Sequence, residues 1–301
     1  MSARHARPAA LPGTAVEIVA SLAVHRALTS RQVRVVHLPE VGERRCRHVL
    51  SRIAAAGLID GVVVSEGGPR RSLWFVTEAG ARMALEAGLL DRPPRVFDAR
   101  EIAGPLRAHT EAVNEAAISF LRSARERGEE FGPLGWRNEV AHPLAEAVRR
   151  RRPRAVIADA VLSYVRATTE GRASVAHRFL ELDRATLAVD AMATELARYA
   201  DLARAQDARG EPIWRERYPA FPSVVCVLAG AGRQALLRRR DVALALLRSE
   251  PQLTRTPEVE IRICLLEDLV AQGPKAPIFR SLRDPGKAVD WLGNRQEEDD
   301  G

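Results

Sequence analysis

Lysine is almost missing from this 301-residue chain: of its 46 basic residues two are lysines, Lys275 and Lys287, and the other 44 are arginines. Cysteine is equally sparse. The three cysteines, Cys46, Cys226 and Cys264, stand far apart, which excludes a disulfide framework and a closely spaced zinc motif and fits a reducing, cytoplasmic compartment. Long apolar runs are missing too. No stretch reaches the roughly 18 consecutive apolar residues of a membrane span, and the apolar segment Ala15–Val24 is interrupted by Glu17, which argues against a signal-peptide core. The expectation is an intracellular protein with no membrane partner. No G-x-x-x-x-G-K-[ST] or G-x-G-x-x-G loop is present; "LAGAGRQ" at Leu228–Gln234 reads as a tight strand-to-helix turn rather than a nucleotide site. Neither H-E-x-x-H nor a G-x-S-x-G elbow occurs.

What is present is positive charge. A formal net charge of +7 and a pI of about 10.1 fit a polyanionic partner. Arginine suits bidentate contacts with phosphates and guanine edges, although an arginine-for-lysine bias in the encoding genome would give the same composition. The distribution of the arginines has to decide between them.

From Pro12 onward three short helical patterns follow one another: "GTAVEIVASLAVHRA", then "LTSRQVRVVH" with Thr29 or Ser30 as its cap, then "ERRCRHVLSRIAAAGLI". In the third, Cys46, Val49, Leu50, Ile53 and Leu58 form an apolar stripe, Arg44, Arg45, Arg47, His48 and Arg52 lie mainly on the other faces, and Gly57 stops the helix. "LIDGVVVSE", the turn "GGPRR" and "SLWFVT" then read as a hairpin with Arg70 and Arg71 at its tip, and Thr77 caps a further helix. This order is that of a winged helix-turn-helix, in which the third helix enters the major groove and the wing follows phosphates. Arg44, Arg45, Arg47, His48, Arg52, Arg70 and Arg71 are therefore the candidate DNA-binding residues; solvated arginines on a protein-binding winged helix are the alternative.

The charged, proline-paired stretch "LLDRPPRVFDAR" marks a linker. The expected organisation is a winged helix at 12–90, a linker at 91–101, an α/β domain at 102–272 and a frayed acidic tail at 273–301. In the α/β domain a helix over "GPLRAHTEAVNEAAISFLRSARERG" precedes three strands, "LGWRNEVAH", "RAVIADAVLSYV" and "VAHRFLELD". A long helix near Ala188–Asp207, the strand "FPSVVCVLAG", a helix at Gly232–Arg248 and the strand "EVEIRICLLE" complete an α/β (α+β) fold with a mixed sheet. Between the first two strands, "RRRRPR" at Arg149–Arg154 is either a solvated loop or a clamp on a nucleic-acid backbone.

Asp159 falls on the second of these strands, and Glu181 and Asp183 lie two apart on the third, so the latter two share a face. If the strands are neighbours, the three carboxylates form a pocket of hard oxygens suited to Mg2+, with Glu139 as a fourth candidate; a solvent-exposed acidic sheet face gives the same spacing. An Asp on one strand followed by Asp/Glu-x-Lys on the next resembles the restriction-endonuclease-like PD-(D/E)xK superfamily, whose metal ions activate water for phosphodiester attack. The resemblance makes Asp159, Glu181 and Asp183 the candidate catalytic and metal-binding residues. The motif lysine position holds Asp183, and both lysines lie far downstream. Arg184 points to the opposite face, and Arg198 on the next helix is the cation placed to substitute, though an arginine stays protonated and is a poor proton acceptor.

Taken in order, "LTSRQV", "RRCRHVLSRIAAAGLI" and "WFVTEAG" in the first domain, and His109 and Asn114 in "HTEAVNEA", Trp136 and Glu139 in "WRNEV", "IADAVL", "FLELDRAT" and Tyr199 in "ELARYADL" in the second, resemble the replication-relaxation family of actinobacterial plasmids and integrated elements. The resemblance implies a double-stranded DNA-binding protein tied to replication or relaxation, with replication or relaxation proteins as further partners and a nuclease-like second domain; the missing motif lysine points to a domain that no longer cleaves, and the two-fold symmetry common among duplex readers allows a homodimer. A Mg2+-dependent endonuclease is the second reading, and a transcriptional regulator or adaptor whose second domain oligomerises is the third. No histidine cluster of the kind that serves tyrosine relaxases is present, so relaxation does not imply nicking.

Overall fold

Helix α1 (Gly13–Val24) buries Ile18, Val19 and Leu22. After the two-residue strand β1 (Leu28–Thr29), α2 (Ser30–His37) begins at Thr29, whose hydroxyl accepts the Gln32 N–H while the Gln32 side chain accepts the Thr29 N–H. This reciprocal box satisfies two of the donors a helix start leaves open. Helix α3 (Glu43–Ala55) buries Cys46, Leu50 and Ile53, the three- and four-residue spacing of one helical face. Gly57, at φ +73°, turns the chain out of α3 into β2 (Ile59–Val64), which pairs antiparallel with β3 (Arg71–Val76). Thr77 then caps α4 (Glu78–Glu86), accepting the Gly80 N–H at 3.1 Å. β1 joins the hairpin on the β3 side, giving a three-stranded sheet in the order β1-β3-β2. This computed structural model describes residues 13–65, 70–144, 155–167 and 173–294.

The chain divides into two compact units between Glu111 and Ala112, later than the sequence reading placed the boundary. Residues 91–101 are not a free linker. Phe97 is buried with Ile102 of α5 (Ala99–Ala103) against Leu73 and Phe75 of the hairpin, and Arg26 and Arg95 each place a guanidinium over the Phe97 ring, at 4.4 and 4.5 Å. Paired prolines and charge look like a spacer, but one aromatic residue anchors the segment to the first unit.

The second unit continues along α6 (Arg107–Arg127) into an antiparallel meander of β4 (Trp136–Pro143), β5 (Ala155–Ala167) and β6 (Ala173–Asp183). The single helix expected at Ala188–Asp207 is two, α7 (Val189–Ala197) and α8 (Tyr199–Arg204), because a tight turn at Arg198 bonds its N–H to the Glu195 carbonyl three residues back. Then come β7 (Ser223–Leu228), α9 (Arg233–Arg248), α10 (Pro251–Thr254), β8 (Ile261–Leu265) and α11 (Leu266–Gln272). β7 runs parallel to both β6 and β8. Near-continuous apolar runs such as "SVVCVL" and "IRICL" belong in such a position, where helices cover both faces.

The expected tail is part of this sheet. Lys275 reaches back to Glu129 at 3.1 Å, and β9 (Phe279–Ser281) and β10 (Ala288–Val289) extend the sheet to the order β10-β9-β8-β7-β6-β5-β4. Trp291 is fully buried, edge-on to Phe120 of α6 at 5.4 Å and tilted on Tyr164 of β5 at 4.9 Å. The acidic last residues suggested fraying; Phe279 and Trp291, two large apolar residues within the segment, decide otherwise for the residues described. The opposite sheet face packs Phe179, Val224, Cys226 and Ile263 under α7, α8 and α9 through Met192, Leu196, Leu202, Leu236 and Leu244. The protein is thus a mixed α+β fold.

Candidate functional site

On α3 the burial of Cys46, Leu50 and Ile53 dictates what faces outward. Arg44, Arg45, Arg47, His48 and Arg52 are all exposed, and none of them has an acidic partner among the described residues. Helix-borne arginines usually take an i,i+3 or i,i+4 carboxylate where one is offered; α3 offers only Glu43. Arg70 and Arg71, at the start of β3, are exposed as well, but they differ. Arg71 is held by Glu111 at 3.0 Å, and the Glu111 side chain is only 15% exposed. The turn residues 66–69 and the run Arg149–Arg154 lie outside the described residues.

The carboxylates sit at the far end of the β5–β6 ladder. Its last pair is Ala160 with Leu180; one step on, Asp159 Oδ2 accepts the Leu182 backbone N–H at 2.8 Å, so its carboxylate takes the place of a backbone acceptor. The two-residue alternation of β5 breaks here, since Val156 and Ala158 share a core cluster with Val161. On β4, Glu139 lies between the pairs Asn138–Ala160 and Val140–Ala158 that flank Asp159, and is exposed and held at φ +54°. A side chain in that region stores on the order of 1–3 kcal/mol of strain, a feature concentrated at functional sites.

Asp159 and Glu181 come together. Burial, and then the negative charge of Asp159, push the Glu181 carboxyl well above the usual carboxylate range, and a hydrogen bond with Asp159 favours the protonated form further. The Tyr199 hydroxyl donates to Glu181 Oε1 at 2.5 Å, and Tyr199 is itself pushed well above a free phenol by burial and by Glu181. Cys226, in register with Glu181 on β7, is a thiol pushed up by the same burial, which disfavours its thiolate form.

Asp183 does not join them. Arg239 of α9 grips it with both edges of its guanidinium, Nε to Oδ2 at 2.5 Å and Nη2 to Oδ1 at 3.0 Å, with the two side chains only 12% and 11% exposed. In place of the three-carboxylate pocket expected from spacing, Asp159 and Glu181 meet as a pair and Asp183 is held apart from them by Arg239. Among the described residues no group of three or more His, Cys, Asp or Glu is placed to hold a metal ion. Mg2+ needs free carboxylate oxygens; here both oxygens of Asp183 are engaged by Arg239, one oxygen of Asp159 takes the Leu182 N–H and one of Glu181 takes the Tyr199 hydroxyl, so the donor set does not fit the ion.

The sequence reading missed Arg239, because 56 positions separate it from Asp183 and "RRR" on α9 marks no particular member of the run. Arg198, the expected substitute cation, instead donates to the Ala155 carbonyl at 2.6 Å and to Glu195 at 3.4 Å. The "LAGAGRQ" segment is the turn it was read as: Gly230, at φ +82°, lies where a Cβ would come within 2.4 Å of the Arg184 carbonyl oxygen. Asn114 and Trp136 are joined, the indole N–H donating to Asn114 Oδ1 at 3.2 Å.

The sequence model of the replication-relaxation family matches residues 19–213, more than half of the chain and parts of both units. The chain belongs to the replication-relaxation family. No curated protein and no solved structure matches it. The replication-relaxation match takes in α3, the hairpin, Asp159, Glu181, Asp183 and Tyr199 and ends before α9, so Arg239 lies outside it. Among the described residues no helix is long and apolar enough to cross a membrane.

Proposed function

We propose that the chain is a sequence-reading, double-stranded DNA-binding protein that serves replication or relaxation of a mobile element, with a winged helix as its first unit and a non-cleaving, nuclease-like domain as its second. The observation that carries this reading is the outward face of α3: four arginines and a histidine with no acidic partner among the described residues. Unpaired arginines on a helix following a helix-turn are suited to phosphates and guanine edges of a major groove. The basic residues at the start of β3 extend that surface as a wing would. In the second unit the succession α6, β4, β5, β6, α7–α8, β7 supports the nuclease-like reading, and the Asp183–Arg239 pair supports the loss of cleavage.

Titrating labelled duplex against the full-length protein at several salt concentrations tests the assignment. Arg44→Ala/Arg45→Ala should weaken binding and lower the slope of log affinity against log salt by about 0.9 for each phosphate no longer neutralised, hence by up to about two. Unchanged affinity and slope would remove α3 as the reading helix. Supercoiled plasmid with Mg2+ or Mn2+ should stay closed; nicking that vanishes in Asp159→Ala would establish the endonuclease instead.

A further inference from the structure

A second basic site lies beyond the family match. In the second unit, α9 and the β9–β10 hairpin enclose an open cleft of about 410 Å³ lined by Arg240, Asp241, Leu244, Arg248, Arg280 and Gly286, among others. Arg240 and Arg248 are two turns apart on α9, with Leu244 midway, so all three project from one side of the helix; Arg280 comes from β9 across the cleft. Three guanidiniums face one carboxylate. Arg240 is sunk to 14% exposure and held by Asp241, whose own side chain is 64% exposed. Arg280 spends one N–H on the Gly286 carbonyl at 2.9 Å, which fixes its fork and leaves its other donors open. Arg248 is exposed and has no partner among the described residues.

We propose that this cleft binds the phosphate of a nucleotide unit, the arginines taking the phosphate and the apolar floor at Leu244 the sugar or base. Planar guanidinium forks match phosphate oxygens two at a time. Both Arg280, oriented by Gly286, and Arg240, oriented by Asp241, are partly immobilised before the ligand arrives, which lowers the ordering cost of binding. The volume is larger than a lone phosphate needs and falls among clefts of about 300–1,000 Å³ that hold small organic ligands. The same chemistry is offered by a free mononucleotide and by one unit of a nucleic-acid strand.

The test uses the full-length chain carrying Arg44→Ala/Arg45→Ala, so that DNA binding through α3 does not mask the cleft and failure of that assignment stays a separate result. Calorimetric titration with adenosine 5′-monophosphate, with adenosine, and with a short single-stranded oligonucleotide separates the sources. The mononucleotide or the oligonucleotide should bind and adenosine should not. Arg248→Gln/Arg280→Gln should weaken the binding by about tenfold or more. Because Arg248 is exposed, Arg248→Gln alone reports on binding without touching the core and should also weaken it. Tighter oligonucleotide binding assigns the strand; tighter mononucleotide binding assigns the free ligand. No saturable binding of either phosphate probe up to about 1 mM, equal binding of adenosine, or affinity unchanged in both arginine variants would overturn the proposal.

Discussion

The α3 face of the first unit and the carboxylate site of the second handle charge in opposite ways. On α3 the arginines are exposed and have no acidic partner among the described residues. In the second unit each of the three carboxylates is answered from within: Asp159 accepts a backbone N–H, Glu181 accepts from Tyr199, and Asp183 is clamped by Arg239. A surface that meets a charged ligand gains by leaving its charges free until the ligand arrives, because each phosphate neutralised then releases counterions. A pocket that binds a divalent metal needs the same readiness in carboxylates, and this one lacks it. The two units thus hold their charge differently: exposed arginines with no acidic partner among the described residues in the first, buried carboxylates with internal partners in the second.

The largest effect expected from this contrast is structural. Arg239→Ala leaves the Asp183 carboxylate enclosed without its partner, and breaking a pair this buried costs about 3–5 kcal/mol. The double variant Arg239→Met/Asp183→Leu should recover most of that loss, since a well-packed apolar pair of similar volume is often no worse. Chemical denaturation of the three proteins measures both. If Arg239→Ala is as stable as the parent, Asp183 is free enough to serve a metal and the contrast collapses.

The pH dependence of stability comes next. Unfolded Glu181 titrates near 4.5, and its folded value is raised, by burial first and by Asp159 second. A carboxyl whose folded pKa is raised stabilises fully below the unfolded value, and the contribution is lost as pH climbs through the folded value. Glu181→Gln is neutral at every pH and removes that loss, so its stability relative to the parent should rise as pH climbs from the unfolded value through the raised folded value. Asp159→Asn should act in the same direction by removing the charge that opposes ionisation. Melting temperatures of parent and Glu181→Gln that stay parallel as pH rises would show that the folded Glu181 carboxyl is not raised.

Much of this architecture was legible in sequence, and what was not has identifiable physical causes. Caps and periodicity are local: Thr29, Thr77 and the Cys46–Leu50–Ile53 stripe each report on their own helix. Strand alternation placed Glu181 and Asp183 on one face, and adjacency of β5 and β6 brought in Asp159. The meeting of Asp183 with α9, and of Trp291 with α6, are long-range events that no spacing encodes, and they overturned both the expected pocket and the expected tail. Phe97 did the same to the linker at shorter range. In each case composition was outvoted by a single large or charged side chain that found a buried partner.

The smallest effects sharpen the contrast inside the first unit, where Arg71 is the exception. Arg70 and Arg71 are adjacent and both exposed, yet Arg71 is paired with Glu111. At 45% exposure of the Arg71 side chain, this pair should contribute no more than about 1 kcal/mol to stability, so its weight is in binding. An arginine already engaged has less to give a phosphate. Arg70→Ala should therefore lower the salt slope of duplex binding by about 0.9, the equivalent of one phosphate, and Arg71→Ala by less. Glu111→Gln releases Arg71 and should raise the slope above that of the parent. The reverse ranking, with Arg71→Ala the more damaging and Glu111→Gln neutral, would mean that Glu111 aims Arg71 at the duplex rather than withholding it, and that the first unit too uses an internal carboxylate to build its surface.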